Sequence, residues 1–99
     1  MVKVVWTKRA LEDLMDIGDF ISRDSIQYAS LTINKIVNMD IVIAENPKIG
    51  RIVPELNDKN IREIIKGNYR IIYQIRKKTS AYILTVFHSS RLLSKENIG

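Results

Sequence analysis

The 99-residue chain has 16 Lys and Arg residues against 11 Asp and Glu residues, which gives a net charge of +5 at neutral pH. Its 45% hydrophobic and 27% charged residues are typical of a single folded domain over residues 1–99 and exclude a disordered or fibrous chain. There is no cysteine, so disulfides and thiolate chemistry are excluded. No apolar run is long enough to span a membrane. We therefore expect a cytoplasmic protein that needs no cofactor, makes no membrane contact and has an acidic or polyanionic partner.

The first part of the chain predicts a strand followed by a helix. Alternating apolar residues over positions 2–6 indicate a short strand, and Thr7 can cap a helix over residues 8–22. The apolar side of that helix is formed by Leu11, Leu14, Met15, Gly18 and Ile21, and its acidic side by Glu12, Asp13, Asp16 and Asp19. We expect the acidic side to face solvent, and with one histidine in the chain we predict no metal site.

A second helix is predicted from about residue 26 to 45. Asp24 or Ser25 can cap it, and Pro47 ends it by excluding helical angles at the preceding residue. One apolar stripe, expected to pack on the first helix or the sheet, contains Ala29, Ile33, Ile36, Val37 and Ala44. A second apolar stripe contains Tyr28, Leu31, Met39 and Val42. This second stripe is either buried within the fold or covered by a partner.

The remainder of the chain predicts a loop and three strands. Residues 47–59 form a loop that is long enough to suggest a role. Strand-length runs follow over residues 61–66, 69–76 and 81–88, with Gly67 and Asn68 between the first two. Gly-Asn is typical of a two-residue hairpin loop, which would pair Ile65 with Arg70.

That register decides which side chains share a face of the sheet. We expect the helices to cover the mostly apolar face, formed by Ile64, Tyr69, Ile71, Tyr73 and Ile75 with Arg62 and Lys66. We expect the other face to be open to solvent, and it holds Ile61, Glu63, Ile65, Arg70, Ile72, Gln74 and Arg76. On it, Glu63 lies diagonal to Arg70, within reach of an ion pair. A three-residue loop would instead align Arg62, Lys66 and Arg70, an arrangement suited to nucleic acid.

Two stretches carry a resemblance to a known family. "GRIVPELNDKNIREIIKGNYRIIYQI" (residues 50–75) and "ILTVFHSSRLL" (residues 83–93) resemble the RelE/ParE superfamily of toxins from type II toxin–antitoxin modules, of the ParE-like, plasmid stabilisation type. The resemblance implies an α+β fold in which a small antiparallel β-sheet packs on a two-helix hairpin, in the order β-α-α-β-β-β. It also implies a cognate antitoxin as partner, in a heterotetramer, or a toxin homodimer.

The superfamily contains two activities that require different residues. RelE-like members cleave mRNA on the ribosome, and in this chain that mRNA endonuclease activity would use Arg70, His88 and Arg91, assisted by Arg62 and Lys66. ParE-like members inhibit DNA gyrase by binding.

The nuclease pattern has basic residues five and seven positions before the arginine matched by Arg70, where this chain has Ile65 and Glu63. A carboxylate there repels phosphate, so the ParE-like activity is favoured, with no enzymatic reaction. A toxin fold that only binds partners is a further alternative. The partner-binding residues predicted from the open face and the second stripe are Glu63, Arg70, Arg76, Tyr28, Leu31 and Met39.

Overall fold

The computed structural model describes residues 1–93. Its elements are β1 (Lys3–Trp6), α1 (Lys8–Ser22), α2 (Ile26–Val37), α3 (Met39–Glu45), β2 (Arg51–Ile52), β3 (Ile61–Lys66), β4 (Tyr69–Arg76) and β5 (Ser80–His88). Two of these elements depart from the predicted order. The predicted long second helix is divided at Asn38, a residue type with low helix propensity, and a two-residue strand, β2, lies within the predicted loop.

The strands form one five-stranded sheet in the order β1-β5-β4-β3-β2. All neighbouring pairs are antiparallel except β1 and β5, which run parallel, with Val4 opposite Ala81. The α+β class and the helices packed on a sheet are confirmed. The sheet is mixed rather than antiparallel as expected, because its first and last strands are adjacent and run parallel. Among residues 1–93, no helix combines the length and apolar composition needed to cross a membrane.

Helix α1 begins where the sequence predicts, and its cap also attaches it to the sheet. The Thr7 hydroxyl accepts the Ala10 N–H at 3.2 Å and donates to the carbonyl oxygen of Ile83 at 2.8 Å. At the start of α2, Ser25 accepts the backbone N–H of Tyr28. Both helices therefore begin at hydroxyl caps.

The predicted orientation of α1 is correct for Leu14, which is buried, and for Glu12, Asp16 and Asp19, which are exposed, but wrong for Leu11, Met15 and Asp13. Its sheet-facing stripe is Ala10, Leu14 and Ile17, while Leu11 and Met15 are 49% and 67% exposed. Asp13, expected in solvent, accepts hydrogen bonds from the Thr85 hydroxyl and the Val86 N–H. The contact with β5 sets the rotation of the helix, and helical spacing alone could not distinguish the two adjacent stripes.

The hairpin register is confirmed. Ile65 lies opposite Arg70 and Glu63 opposite Ile72, and Gly67 has a φ of +59°, which a glycine adopts readily. The expected helix-covered face is also confirmed. Its main buried cluster contains Ala10, Leu14, Ile36, Ile43, Ile71, Tyr73, Ala81, Ile83 and Val86, and partly buried Ile64, Tyr69 and Ile75 pack against it.

The expectation that the opposite face is open to solvent is wrong for the centre of that face, although Ile65 and Arg76 are exposed as expected. A second buried cluster covers it, formed by Val53, Ile61, Ile72, Phe87 and Leu93, with Leu56 packed against them. Three of these residues lie outside strands β3 to β5: Val53 and Leu56 follow β2, and Leu93 follows β5. The loop after β2 and the chain after β5 therefore cover this face.

Candidate functional site

Arg70 lies at the centre of an ionic network on the second face of the sheet. Its Nη1 and Nη2 atoms donate to the two carboxylate oxygens of Glu55, at 2.7 and 2.9 Å, and its Nε donates to Glu63 at 2.6 Å. The Nη1 atom also donates to the carbonyl oxygen of Arg91 at 3.0 Å. The guanidinium carbon lies 5.1 Å from the centre of the Phe87 ring. Arg70 is 5% exposed and Glu63 is 2% exposed, so this pair is largely removed from water, whereas Glu55 and Arg51 keep contact with solvent.

The two carboxylates of the network have further partners. Glu63, whose side chain has no exposed surface, also accepts from Nε of the largely exposed Arg51. Glu55 accepts the backbone N–H of Leu93 at 2.9 Å. The side-chain hydrogen bond from Arg70 lowers the pKa of Glu55 to about 2, although burial opposes the shift, and the same hydrogen bond raises the pKa of Arg70. The Glu55–Arg70 pair is therefore charged at neutral pH, and Arg70 has two carboxylate partners.

This network corrects the expected exposure of two predicted partner-binding residues. Glu63 and Arg70 are 2% and 5% exposed because the chain segments that carry Glu55 and Leu93 lie over them. Arg76, on the same strand, is exposed at the opposite end of β4 from Tyr69, with its guanidinium over the Tyr82 ring. Of these three residues, Arg76 is the one that presents its charge to solvent.

The structure does not bring together the predicted assisting residues. Arg62 lies on the helix-covered side of β3, where its guanidinium donates to the carbonyl oxygens of Lys48, Gly50 and Lys59. Lys66 is exposed beside the hairpin turn. Neither shares a cleft with Arg70.

His88 and Arg91 instead line a groove of about 400 Å³ between α1 and the end of β5. Arg9 and Tyr69 line it as well. Nδ1 of His88 accepts the N–H of Ser90 at 3.2 Å and lies 2.8 Å from the Ser90 hydroxyl oxygen, while the imidazole ring stands edge-on to Tyr69. Sequence reasoning missed Arg9, because one charged residue in the first turn of a helix looks like ordinary surface.

The predicted second stripe of the helices is exposed at one end and packed at the other. Tyr28 and Leu31 are 59% and 58% exposed and line a shallow groove beside Lys66. Met39 packs against the main buried cluster. Further large apolar side chains are exposed on the helices, namely Leu11, Met15, Phe20, Ile26 and Ile41. The outer side of the helices therefore carries much apolar surface.

The model for the ParE toxin of the type II toxin–antitoxin system parDE matches residues 4–93. The chain belongs to this ParE toxin family. The family match extends over both the Arg70 network and the groove that contains His88.

Known proteins similar to this ParE-family toxin agree with that assignment. A Sinorhizobium fredii protein named "Putative toxin Y4kP" is 31% identical over 87 residues, which cover 88% of each chain. A chain of the chromosomal ParDE toxin–antitoxin system from P. aeruginosa superposes with a TM-score of 0.69 at 20% identity, covering 89% of this toxin and 96% of that chain. A chain of the RelBE2 toxin–antitoxin complex from Mycobacterium tuberculosis gives 0.64 at 21% identity, covering 88% and 96%. These two structures share the fold of this toxin.

Proposed function

We propose that this ParE-family toxin inhibits DNA gyrase by binding to it, without cleaving RNA, and that a cognate antitoxin neutralises it. The observation that carries this proposal is the pairing of Arg70 with Glu55 and Glu63. Every nitrogen of the Arg70 guanidinium lies within 3.0 Å of an acceptor in the protein.

RNA cleavage is a phosphoryl transfer, and its transition state is stabilised by cationic donors aimed at the charged phosphate oxygens. For Arg70 to act in this way, its hydrogen bonds to Glu55 and to the buried Glu63 would have to break. Leaving Glu63 without this partner is unfavourable, because loss of one partner of a buried ion pair costs about 3–5 kcal/mol. Arg70 is therefore better suited to holding the loop after β2 and the C-terminal chain on the sheet than to contacting a phosphate.

Antitoxin binding is supported by the exposed apolar side chains of the helices. Phe20 and Ile26 are 66% and 75% exposed, and Tyr28 and Leu31 follow on α2. Clustered apolar groups of this size mark interaction surfaces on small proteins. The net charge of +5 favours a partner with an acidic segment. We expect the antitoxin to place an amphipathic, acidic segment along these helices.

Two assays of the purified toxin test the target. We expect inhibited supercoiling by DNA gyrase and unchanged translation of a reporter mRNA by ribosomes. Inhibited translation with normal supercoiling would overturn the proposal in favour of RNA cleavage. No effect in either assay, with antitoxin binding retained, would favour a toxin fold that only binds partners.

A ribosome-dependent mRNA endonuclease is the second candidate, and the groove between α1 and β5 is the observation that favours it. This groove brings His88, a residue type that commonly serves in general acid–base catalysis, together with Arg9 and Arg91. If the toxin cleaves mRNA, His88→Gln should abolish translation inhibition and leave the fold intact, because His88 is exposed. Ser89→Ala, at the next exposed position, is the matched control.

A further inference from the structure

A basic groove lies at the end of the sheet away from the hairpin turn at residues 67–68. It has a volume of about 550 Å³ and lies between the chain after α3, the start of β3 and the turn between β4 and β5. Its cationic lining residues are Lys48, Lys59, Arg62 and Lys78. Along β4, Ile75 in this groove lies roughly 20 Å from Tyr69 in the groove that contains His88. The two grooves are therefore separate.

The charge of this groove is not neutralised by the described residues. Within residues 1–93, none of its four cations forms an ion pair, whereas Arg51 and Arg70 are both paired with carboxylates. Among the described residues, no carboxylate lines the groove, and Asp58, next to Lys59 in the chain, accepts the backbone N–H of Asn60 instead. Like charges gathered in a concave surface raise the local positive potential and attract anions.

Arg62 is held in place by groups that leave its charge available. Its Nε donates to the carbonyl oxygen of Lys59 at 3.1 Å, and its Nη1 donates to the carbonyl oxygens of Lys48 and Gly50 at 3.2 and 3.0 Å. Its Nη2 donates to no acceptor in residues 1–93. A guanidinium fixed by neutral carbonyls is preorganised to donate to a phosphate through its remaining N–H groups.

The turn between β4 and β5 adds a second indication. Lys77 and Lys78 have φ values of +53° and +61°, in the left-handed region that lysine seldom adopts. Asparagine or glycine would suit this turn better for its backbone. Of these two residues, Lys78 lines the groove, so its positive charge is placed there at a conformational cost, as expected if the charge binds a ligand.

We propose that this groove binds two neighbouring phosphate groups, either of a nucleic acid strand or of a free polyphosphate. Arg62 would donate to one phosphate through its Nη2 N–H groups, and the exposed lysines would act as point charges on both. The amide side chains of Asn46 and Asn60, which also line the groove, can donate to phosphate oxygens or to a base. This binding does not depend on whether gyrase is the target of the toxin.

Titration calorimetry of the purified toxin at low salt tests the proposal, with three probes: inorganic tripolyphosphate, ATP and a twelve-residue single-stranded oligothymidylate. The groove variant is Lys48→Gln, Lys59→Gln and Lys78→Gln combined. The control variant is Lys3→Gln, Lys8→Gln and Lys35→Gln combined, at three lysines that are also exposed. Both variants lower the net charge by three, and thermal unfolding checks that both fold.

We expect the groove variant to lose at least about tenfold in affinity. For the oligonucleotide, the slope of log affinity against log salt concentration should become shallower by about 2. The control variant should lose less than about threefold. Binding of tripolyphosphate and ATP would identify a free polyphosphate as ligand, and binding of the oligonucleotide alone would identify a strand. Equal losses in the two variants, or no binding of any probe to the unmodified toxin, would overturn the proposal.

Discussion

The two faces of the sheet are both covered, but by different physical means. The face beneath the helices is sealed by a large apolar cluster centred on residues such as Ile71 and Ile83. The opposite face has five buried apolar residues, and beside them lies the network of Arg70 with Glu55 and Glu63. The difference teaches that short segments with little apolar surface can be held on a sheet when buried charges are mutually paired. Arg70 and Ile71 are adjacent on β4 and belong to opposite faces. Substituting each in turn therefore compares the stability that the ionic network and the apolar cluster provide.

Arg70→Ala should have the largest effect on stability. It leaves Glu63 buried with only Arg51 as a charged partner, and removing one partner of a buried ion pair costs about 3–5 kcal/mol. The free energy of unfolding in urea measures this loss. Arg76→Ala is the matched control, since it lies on the same strand with an exposed side chain, and should cost under about 1 kcal/mol. Equal losses would show that the ionic network contributes no net stability.

Ile71→Ala tests the helix-covered face at the neighbouring position. Ile71 is fully buried, and truncation of a core isoleucine to alanine costs about 2–5 kcal/mol through lost burial and the cavity left behind. Ile65→Ala, at a half-exposed position on β3, is the control and should cost clearly less. The same urea titration applies. A loss at Ile71 no larger than at Ile65 would mean that the helices collapse into the space and that this face is loosely packed.

Tyr73→Phe should have a smaller effect, confined to one hydroxyl group. That hydroxyl donates to the carbonyl oxygen of Pro47 and accepts the N–H of Gly50 at 3.0 Å, which joins the buried face to the chain after α3. Leaving such groups without partners costs about 1–3 kcal/mol. Thermal unfolding of Tyr73→Phe beside Tyr82→Phe measures it. An unchanged melting temperature would show that other groups or water replace the hydroxyl.

Glu55→Gln should have a smaller effect than the changes above, because the amide oxygen can still accept from Arg70. That effect is fully present at neutral pH and disappears in acid. The folded pKa of Glu55 is about 2, below the ordinary value of 4.5, so the carboxylate stabilises the fold above about pH 4.5, and this stabilisation is lost as the pH falls through 2. The stabilities of the unmodified toxin and Glu55→Gln should therefore converge from about pH 5 to 2.

Glu12→Gln, on the exposed side of α1, is the control for this measurement. Urea unfolding at a series of pH values should show that it leaves the acid dependence as it was. Parallel curves for Glu55→Gln and the unmodified toxin would contradict the role assigned to the Glu55–Arg70 pair.

Local structure was largely predictable from the sequence. The Thr7 cap, the bounds of α1 and the register of the hairpin follow from residues within a few positions of one another, and all three are confirmed. The rotation of α1 was not predictable, because two adjacent stripes of the helix are both apolar enough to be buried. The contact of Asp13 with Thr85 on β5 distinguishes them, and it joins residues at opposite ends of the chain.

The candidate site was predictable only in part. The diagonal neighbours Glu63 and Arg70 follow from the register, and they form the expected ion pair. Glu55, the second carboxylate on Arg70, lies in a segment with no periodic pattern that would assign it a direction. The covering of Arg70 could not be predicted for the same reason, since Val53 and Leu93 reach the sheet from segments that are not strands.

The sequence by itself determined most of the helices and strands, how β3 pairs with β4 and which toxin family the chain resembles, because short-range hydrogen bonding and side-chain spacing encode these features. Only the tertiary structure decided that Arg70 is buried and neutralised while the cations of the basic groove form no ion pair within residues 1–93. Burial and charge pairing depend on which distant segments close over a surface, and that closure is a property of the folded chain as a whole.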